Sequence, residues 1–285
     1  MGISFWIDKY LDYLSAEKNA SVYTLKDYRY YLNHLQEFLE KDDITLLQNP
    51  TLITKYRHHL NDFKKSTKNY FLIALRSFLQ YLQSQGVETV NSVEIILDNH
   101  PETETEVLDQ DSLSKLLSAP DGSSLEGLRD RAIMVLFITA GLKVSELSSL
   151  NNDQIDRTKN LITVKSRKVD LTDQAKDQLK LYLEKRKDNF RPLFIRFKGK
   201  IDAENFGEKM RLSDRSVERM IEKYTKQLDL NIKATPKTLR HSFAVSKLAS
   251  GESLKSVQQE LGHKSLYSAK RYEGLIQNPV KENTP

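Results

Sequence analysis

Apolar side chains recur every three or four residues through the first hundred positions, which is the spacing of one face of a helix. This pattern predicts four helices. The second is capped by Ser21 or Thr24, the third opens at Pro50, and the fourth runs from Ser66 until Gly86 ends it. We therefore expect a helical bundle that buries one apolar stripe per helix.

The helical pattern stops between residues 99 and 106, where a proline is followed by alternating threonine and glutamate. Such a polar segment predicts an exposed linker between two domains. Residues 1–98 are the predicted N-terminal domain, and residues 107–285 are the predicted C-terminal domain.

The C-terminal domain combines helical periodicity with two short β-prone runs, at residues 161–164 and 169–171. These runs predict a small hairpin with a basic tip formed by Lys165, Ser166, Arg167 and Lys168. Further helices are predicted from Asp111 onwards, including 173–187, 213–228, 236–249, 253–261 and a last one around Tyr272. The expected fold class is mainly α, with a helical N-terminal domain and a mixed α/β, mostly helical C-terminal domain.

Composition excludes several kinds of chemistry. The chain of 285 residues has no cysteine, which excludes disulfides and a cysteine nucleophile and favours a reducing, cytoplasmic location. No apolar stretch is long enough to cross a bilayer, so no membrane partner is expected. The histidines lack partners at ligand spacing and there is no glycine-rich phosphate loop, so we expect no metal and no cofactor. The net charge of +5 does not by itself imply nucleic acid.

One predicted helix begins with two cations. Thr235 is suited to cap it and Pro236 to its first turn, and Lys237 and Arg240, three residues apart, share a face. Because a helix N-terminus favours acidic rather than basic side chains, these cations are expected to bind something anionic. His241 is interpreted as a packing residue.

The next predicted helix ends at a capping glycine, and His263 follows it directly. Tyr272 comes nine residues later. Any one of these residues has an ordinary structural interpretation as a cap, a surface ion pair or a packing side chain. Their order and spacing together are far more specific than each alone.

The run Lys-x-x-Arg-His-Ser-Phe-Ala, then Leu-Gly-His, then the tyrosine, resembles the closing motifs of the tyrosine recombinases, especially the Xer-like and phage-integrase members. Residues 128–133 and 139–147 are similar to that family's first motif. The resemblance covers essentially the whole chain. It implies a four-helix, SAM-like core-binding domain, a tyrosine recombinase catalytic domain, double-stranded DNA as substrate, and a homotetramer or heterotetramer on two DNA sites.

The resemblance also implies a mechanism for site-specific recombination. Tyr272 would attack a backbone phosphate and form a 3′-phosphotyrosyl bond, so that rejoining needs neither ATP nor metal. Arg240, Lys237 and His263 would contact the phosphate or manage the tyrosine's proton. A hairpin lysine would protonate the leaving oxygen, and Lys165 is chosen over Lys168 for that role.

One position departs from the family. Lys143 stands where the family carries its first arginine, and a lysine lacks the planar fork that binds two phosphate oxygens. The alternative function is therefore a catalytically impaired relative that binds DNA as an accessory or regulatory protein. The residues predicted to contact DNA without taking part in catalysis are Lys64, Lys65, Lys68, Arg76 and Lys168.

Overall fold

The computed structural model describes residues 2–99, 105–165, 167–230, 232–263 and 265–277. The chain divides into two compact units, Met1–Thr103 and Glu104–Pro285. Most of the predicted linker, residues 100–104, lies outside the described residues. Each unit has a hydrophobic core of its own. No helix among the described residues is both long and apolar enough to span a membrane.

The described part of the N-terminal unit contains four α-helices: α1 (Ile3–Ala16), α2 (Val22–Leu39), α3 (Leu52–His59) and α4 (Lys65–Ser84). Local chemistry explains their ends. The Ser21 hydroxyl accepts the backbone N–H of Thr24 at 3.1 Å and caps α2. Gly86, two residues after α4, has a φ of +75°, a conformation that glycine adopts without strain. The four helices bury their apolar stripes in a common core.

The C-terminal unit is built around a helix that is buried on nearly all sides. This helix is α6 (Leu125–Ala140), and Gly141 ends it in the left-handed conformation with a φ of +55°. The other helices are α5 (Gln110–Ser118), α7 (Val144–Ser148), α8 (Asp173–Lys185), α9 (Asp214–Gln227), α10 (Pro236–Ala249), α11 (Leu254–Leu261), α12 (Tyr267–Lys270) and α13 (Glu273–Gln277). Tyr272 lies between α12 and α13, whereas the sequence predicted one helix around it.

Within the described residues, the β structure of this unit is an antiparallel sheet of β1 (Ile155–Asp156), β2 (Leu161–Val164) and β3 (Arg167–Asp170), in that order. The predicted start of the last strand was therefore wrong, because Arg167 and Lys168 pair with β2 and do not lie in the tip. Lys165, which directly follows β2, adopts a left-handed backbone with a φ of +53°.

Candidate active site

A cavity of about 390 Å³ lies where the starts of α7 and α10 meet the end of α11 and the segment that follows α12. It is lined by Leu142, Lys143, Val144, Pro236, Lys237, Arg240, His241, His263, Arg271 and Tyr272. Five of the six predicted catalytic residues are in this lining, and Lys165 is the exception. Cations, imidazoles and a phenol thus converge on one concave surface.

Helix α10 brings three of these side chains to the cavity. The Thr235 hydroxyl caps the helix by accepting the N–H of Thr238 at 3.0 Å, and a proline forms its first turn. Lys237 is exposed in that turn. Arg240 and His241 lie three and four residues after Lys237, so all three side chains lie on one face of the helix.

Arg240 is a buried cation that holds two turns of the chain together. Only 7% of it is exposed, and burial lowers the pKa of its guanidinium. Its Nη2 donates to the carbonyl of Leu261 at 2.6 Å, and its Nη1 donates to the carbonyl of Gly141. A guanidinium has five N–H donors, so three are not used by these two carbonyls.

Lys143 and Glu146 occupy the start of α7. The backbone N–H of Lys143 donates to Glu146 Oε2 at 2.9 Å, which closes the first turn of the helix. Burial lowers the pKa of the Lys143 ammonium, and the charges of Arg240, Lys165 and Arg167 lower it further while Glu146 opposes them. Lys143 lines the cavity together with Arg240.

Arg167 is a residue of this network that sequence reasoning assigned only to the hairpin tip. Its Nη2 donates to Glu146 Oε2 at 2.7 Å, and its Nη1 donates to the carbonyl of Glu260 near the end of α11. Glu146 Oε2 also lies 3.7 Å from Arg240 Nη1. One buried carboxylate thus joins the sheet, α7 and α10. Nothing in the local pattern around position 167 indicates this, because its partners lie far away in the sequence.

His263 lies directly after Gly262, which ends α11 in the left-handed conformation with a φ of +62°. Burial, followed by the charges of Arg240 and Lys143, lowers the pKa of His263 to about 4, so its imidazole is neutral near pH 7. Its buried Nδ1 has no hydrogen-bond partner among the described residues. A buried polar atom without a partner is uncommon in folded proteins.

Tyr272 is 1% exposed, and its hydroxyl is hydrogen-bonded to His241 Nδ1 at 2.9 Å. Burial raises the pKa of Tyr272, while the charges of Arg240 and Arg271 oppose that shift. His241, 8% exposed, does pack as predicted, but it also contacts the candidate nucleophile. Its position four residues after Lys237 on a helix is the sequence feature that indicates a place in the same cavity.

Lys165 is exposed at the hairpin reversal. It does not line the cavity, but its charge is near enough to lower the pKa of Lys143. Arg167, two residues later, ties this end of the hairpin to α7 and α11. Lys168 is exposed on β3 opposite Thr163.

Both units of the chain match known protein families. Residues 7–86 match the N-terminal SAM-like domain of phage integrases, and residues 106–277 match the phage integrase family. The chain belongs to the phage integrase family. This confirms the resemblance and the fold class predicted from the sequence.

Individual members of the family are similar over nearly the whole chain. The tyrosine recombinase XerC of Thermodesulfovibrio yellowstonii is 33% identical, covering 94% of this chain and 91% of the relative. The XerC of Syntrophus aciditrophicus is 31% identical over 95% and 92% of the two chains. The crystal structure of lambda integrase bound to DNA superposes with a TM-score of 0.73 and covers 100% of both chains. Its 19% identity makes it a comparison of fold alone.

The residues predicted to contact DNA in the SAM-like unit differ in whether their side chains already make contacts within the protein. Lys64 and Lys65 are exposed at the start of α4. In contrast, Lys68 Nζ donates to Asn61 at 2.9 Å and lies 3.6 Å from Asp98. Arg76 is half-buried and donates to the carbonyl of Ile95. Contacts within the unit therefore compete with any phosphate contact by Lys68 and Arg76.

The described residues were also compared with the ligand sets that bind metal ions. Among the described residues, no three histidine, aspartate or glutamate side chains are grouped so as to hold a metal ion. The charges in the cavity are instead those of lysine and arginine.

Proposed function

We propose that this chain is a site-specific recombinase that cleaves and rejoins DNA through a 3′-phosphotyrosyl bond at Tyr272. The observation that carries this proposal is the convergence of Tyr272, Arg240, Lys143 and His263 on one cavity. A tyrosine hydroxyl surrounded by cations is suited to attack a phosphodiester, since the cations stabilise the charge that develops on its oxygens.

Arg240 and Lys143 are the proposed phosphate ligands. Arg240 is held rigid by two backbone carbonyls and keeps three N–H donors, so it is suited to bind two phosphate oxygens together. Lys143 supplies a point charge, because an ammonium lacks the planar fork of arginine. We therefore expect Lys143 to orient the phosphate less strictly than an arginine at the same position would.

The remaining catalytic roles fall to three residues. We assign to His263 a hydrogen bond to the phosphate, because its buried Nδ1 has no partner among the described residues. Lys237, exposed at the start of α10, would add a further positive charge. Lys165, on the hairpin that Arg167 fastens beside the cavity, would protonate the leaving 5′ oxygen.

The relatives and the fold support double-stranded DNA as the partner. Lambda integrase, whose fold this chain shares, was crystallised bound to DNA. Lys64, Lys65 and Lys168 are exposed and are proposed to contact phosphates, and such contacts make affinity fall as salt rises. We further propose a homotetramer or heterotetramer on two DNA sites, working in the cytoplasm without a membrane partner.

The second candidate function is that of a DNA-binding relative without catalytic activity. It was suggested by Lys143, which stands where the family carries an arginine. It is not favoured. The relatives that match over more than nine tenths of the chain are named tyrosine recombinases. Lys143 also lines the cavity together with Arg240, so a basic side chain is kept at this position.

A suicide substrate tests the proposal. Duplex fragments bound by the protein are first selected from genomic DNA, and a nicked duplex of the selected sequence then traps any covalent adduct. We expect an adduct with the wild-type chain and none with Tyr272→Phe. The matched control is Tyr182→Phe, which changes another fully buried tyrosine of the same unit that does not line the cavity. Site-specific binding without any wild-type adduct would contradict recombination and favour the accessory function.

A further inference from the structure

The candidate nucleophile is paired with a histidine that the family resemblance gave no role. Tyr272 Oη and His241 Nδ1 are 2.9 Å apart, and both side chains are buried, with 1% and 8% exposed. The ring centroids are 5.4 Å apart and the planes are inclined by 54°. The contact is therefore made by the edge of the imidazole, at one of its ring nitrogens.

His241 is in a state suited to accept a proton. Burial and the charges of Lys237, Arg271 and Arg240, with a smaller effect from His263, lower its pKa to about 4. The ring is therefore neutral near pH 7, and a neutral imidazole has one unprotonated nitrogen. These four groups belong to α10 and to the segments after α11 and α12.

Other groups in or near the cavity are poorly placed for this role. Lys237 stands where the family often has histidine, but an ammonium has no lone pair and cannot accept a proton. The His263 ring lies nearly parallel to that of Tyr272, at 18° with centroids 6.5 Å apart, and its Nδ1 makes no hydrogen bond to the phenol. The carboxylate of Glu146 already accepts from Lys143 and Arg167.

We propose that His241 Nδ1 accepts the phenolic proton of Tyr272 as Tyr272 attacks the DNA phosphate. This inference rests on the function proposed above. The Oη–P bond forms while the P–O5′ bond breaks, the phenolic proton moves to His241, and the leaving O5′ takes a proton from Lys165. In rejoining, the 5′-hydroxyl attacks phosphorus, its proton returns to Lys165, and His241 returns its own proton to Tyr272 Oη.

The surrounding charges couple this transfer to substrate binding. Without a bound anion, the neighbouring cations disfavour an imidazolium at His241. A bound phosphate brings negative charge beside those cations and offsets their effect, so His241 becomes a stronger base when DNA is present. Activation of Tyr272 would thus follow occupation of the cavity.

Single-turnover adduct formation on the nicked duplex tests the proposal. The variant is His241→Asn, whose amide oxygen can accept a hydrogen bond but does not take up a proton near pH 7. We expect its rate to fall by about 10²- to 10⁴-fold at neutral pH, with DNA affinity unchanged. The deficit should narrow as the pH rises, because hydroxide then removes the phenolic proton.

The matched control is His34→Asn, since His34 Nδ1 makes the same kind of contact, at 3.2 Å, with the Tyr56 hydroxyl in the N-terminal unit. This control should form adduct at the wild-type rate. An undiminished rate and unchanged pH profile in His241→Asn would overturn the role of His241 alone. Absence of adduct from the wild-type chain would instead overturn the proposed function, and this inference with it.

A measurement on the wild-type chain keeps the test valid should His241→Asn fail to fold. Nitrogen-15 NMR of histidine-labelled protein distinguishes a protonated from an unprotonated Nδ1. The proposal expects His241 Nδ1 to be unprotonated in the free protein at pH 7 and to accept the tyrosine's hydrogen bond. A protonated Nδ1, donating to the tyrosine oxygen, would overturn it.

Discussion

Removing the Glu146 carboxylate is expected to destabilise the C-terminal unit strongly. Glu146 is 5% exposed, and its Oε2 lies 2.7 Å from Arg167 Nη2, 2.9 Å from the Lys143 nitrogen and 3.7 Å from Arg240 Nη1. Glu146→Ala would remove the one carboxylate that pairs with the buried guanidinium of Arg240 among the described residues. Breaking a buried ion pair from one side costs about 3–5 kcal/mol, and we expect a loss of that size.

A second variant separates charge from hydrogen bonding. Glu146→Gln keeps an acceptor oxygen but removes the charge. Hydrogen bonds to charged groups contribute about 1.5–3 kcal/mol and neutral ones about 0.5–1.5 kcal/mol, so two weakened bonds predict a loss of about 1–3 kcal/mol. The alanine variant should therefore be the less stable of the two.

Urea unfolding measures these losses of stability, and two signals allow the two units to be compared in one protein. Circular dichroism follows the helices of both units, whereas fluorescence of the single tryptophan, Trp6, follows the N-terminal unit. At a slope of about 2 kcal/mol per molar urea, Glu146→Ala should lower the midpoint by about 2 M. We expect the dichroism transition to move more than the Trp6 transition.

The control is Glu184→Gln, which removes a carboxylate that is 63% exposed and 3.9 Å from Lys180. Exposed pairs of this kind contribute little, so its midpoint should not move measurably. A wild-type midpoint in Glu146→Ala would refute the view that this carboxylate holds the cations of the cavity together. Equal losses in Glu146→Ala and Glu184→Gln would refute it as well.

Three further predictions follow from single residues. Lys143→Arg restores a planar fork and should raise the single-turnover cleavage rate, by up to about 10²-fold; an unchanged rate would contradict the assigned phosphate contact. Burial and nearby cations lower the pKa of His263 from 6.5 to about 4, so the unfolded chain binds a proton between these values that the folded chain does not. The free energy of unfolding should therefore fall as the pH drops through that range, and it should fall less in His263→Gln. Urea unfolding at several pH values measures this, and an equal change of free energy per pH unit in the two proteins would contradict the lowered pKa. Gly141→Ala combines a φ of +55° with a Cβ only 2.4 Å from Phe243 Cδ1, and should cost about 2–4 kcal/mol in thermal unfolding. Gly86→Ala, with a φ of +75° and no atom within 4 Å of the new Cβ, should cost only about 1 kcal/mol, and a similar loss in both would rule out the proposed clash.

The sequence alone determined most of what depends on neighbouring residues. Helix spacing, the cap at Thr235 and the stop at Gly262 follow from backbone hydrogen bonds that reach only three or four positions along the chain. The same local order placed Arg240 and Tyr272 in motifs that resemble those of the tyrosine recombinases, and the comparison confirmed the family.

The tertiary structure decided which side chains meet. Arg167 reaches Glu146 across 21 positions, and His241 reaches Tyr272 across 31, and no periodicity indicates either contact. In the N-terminal unit, Lys68 binds Asn61 and Asp98, although its place on a charged helix face suggested phosphate. Such contacts depend on how whole elements pack, because packing brings together polar groups that must find partners once they are buried. The candidate residues were thus visible in the sequence, but the bond between Tyr272 and its proposed proton acceptor was visible only in the fold.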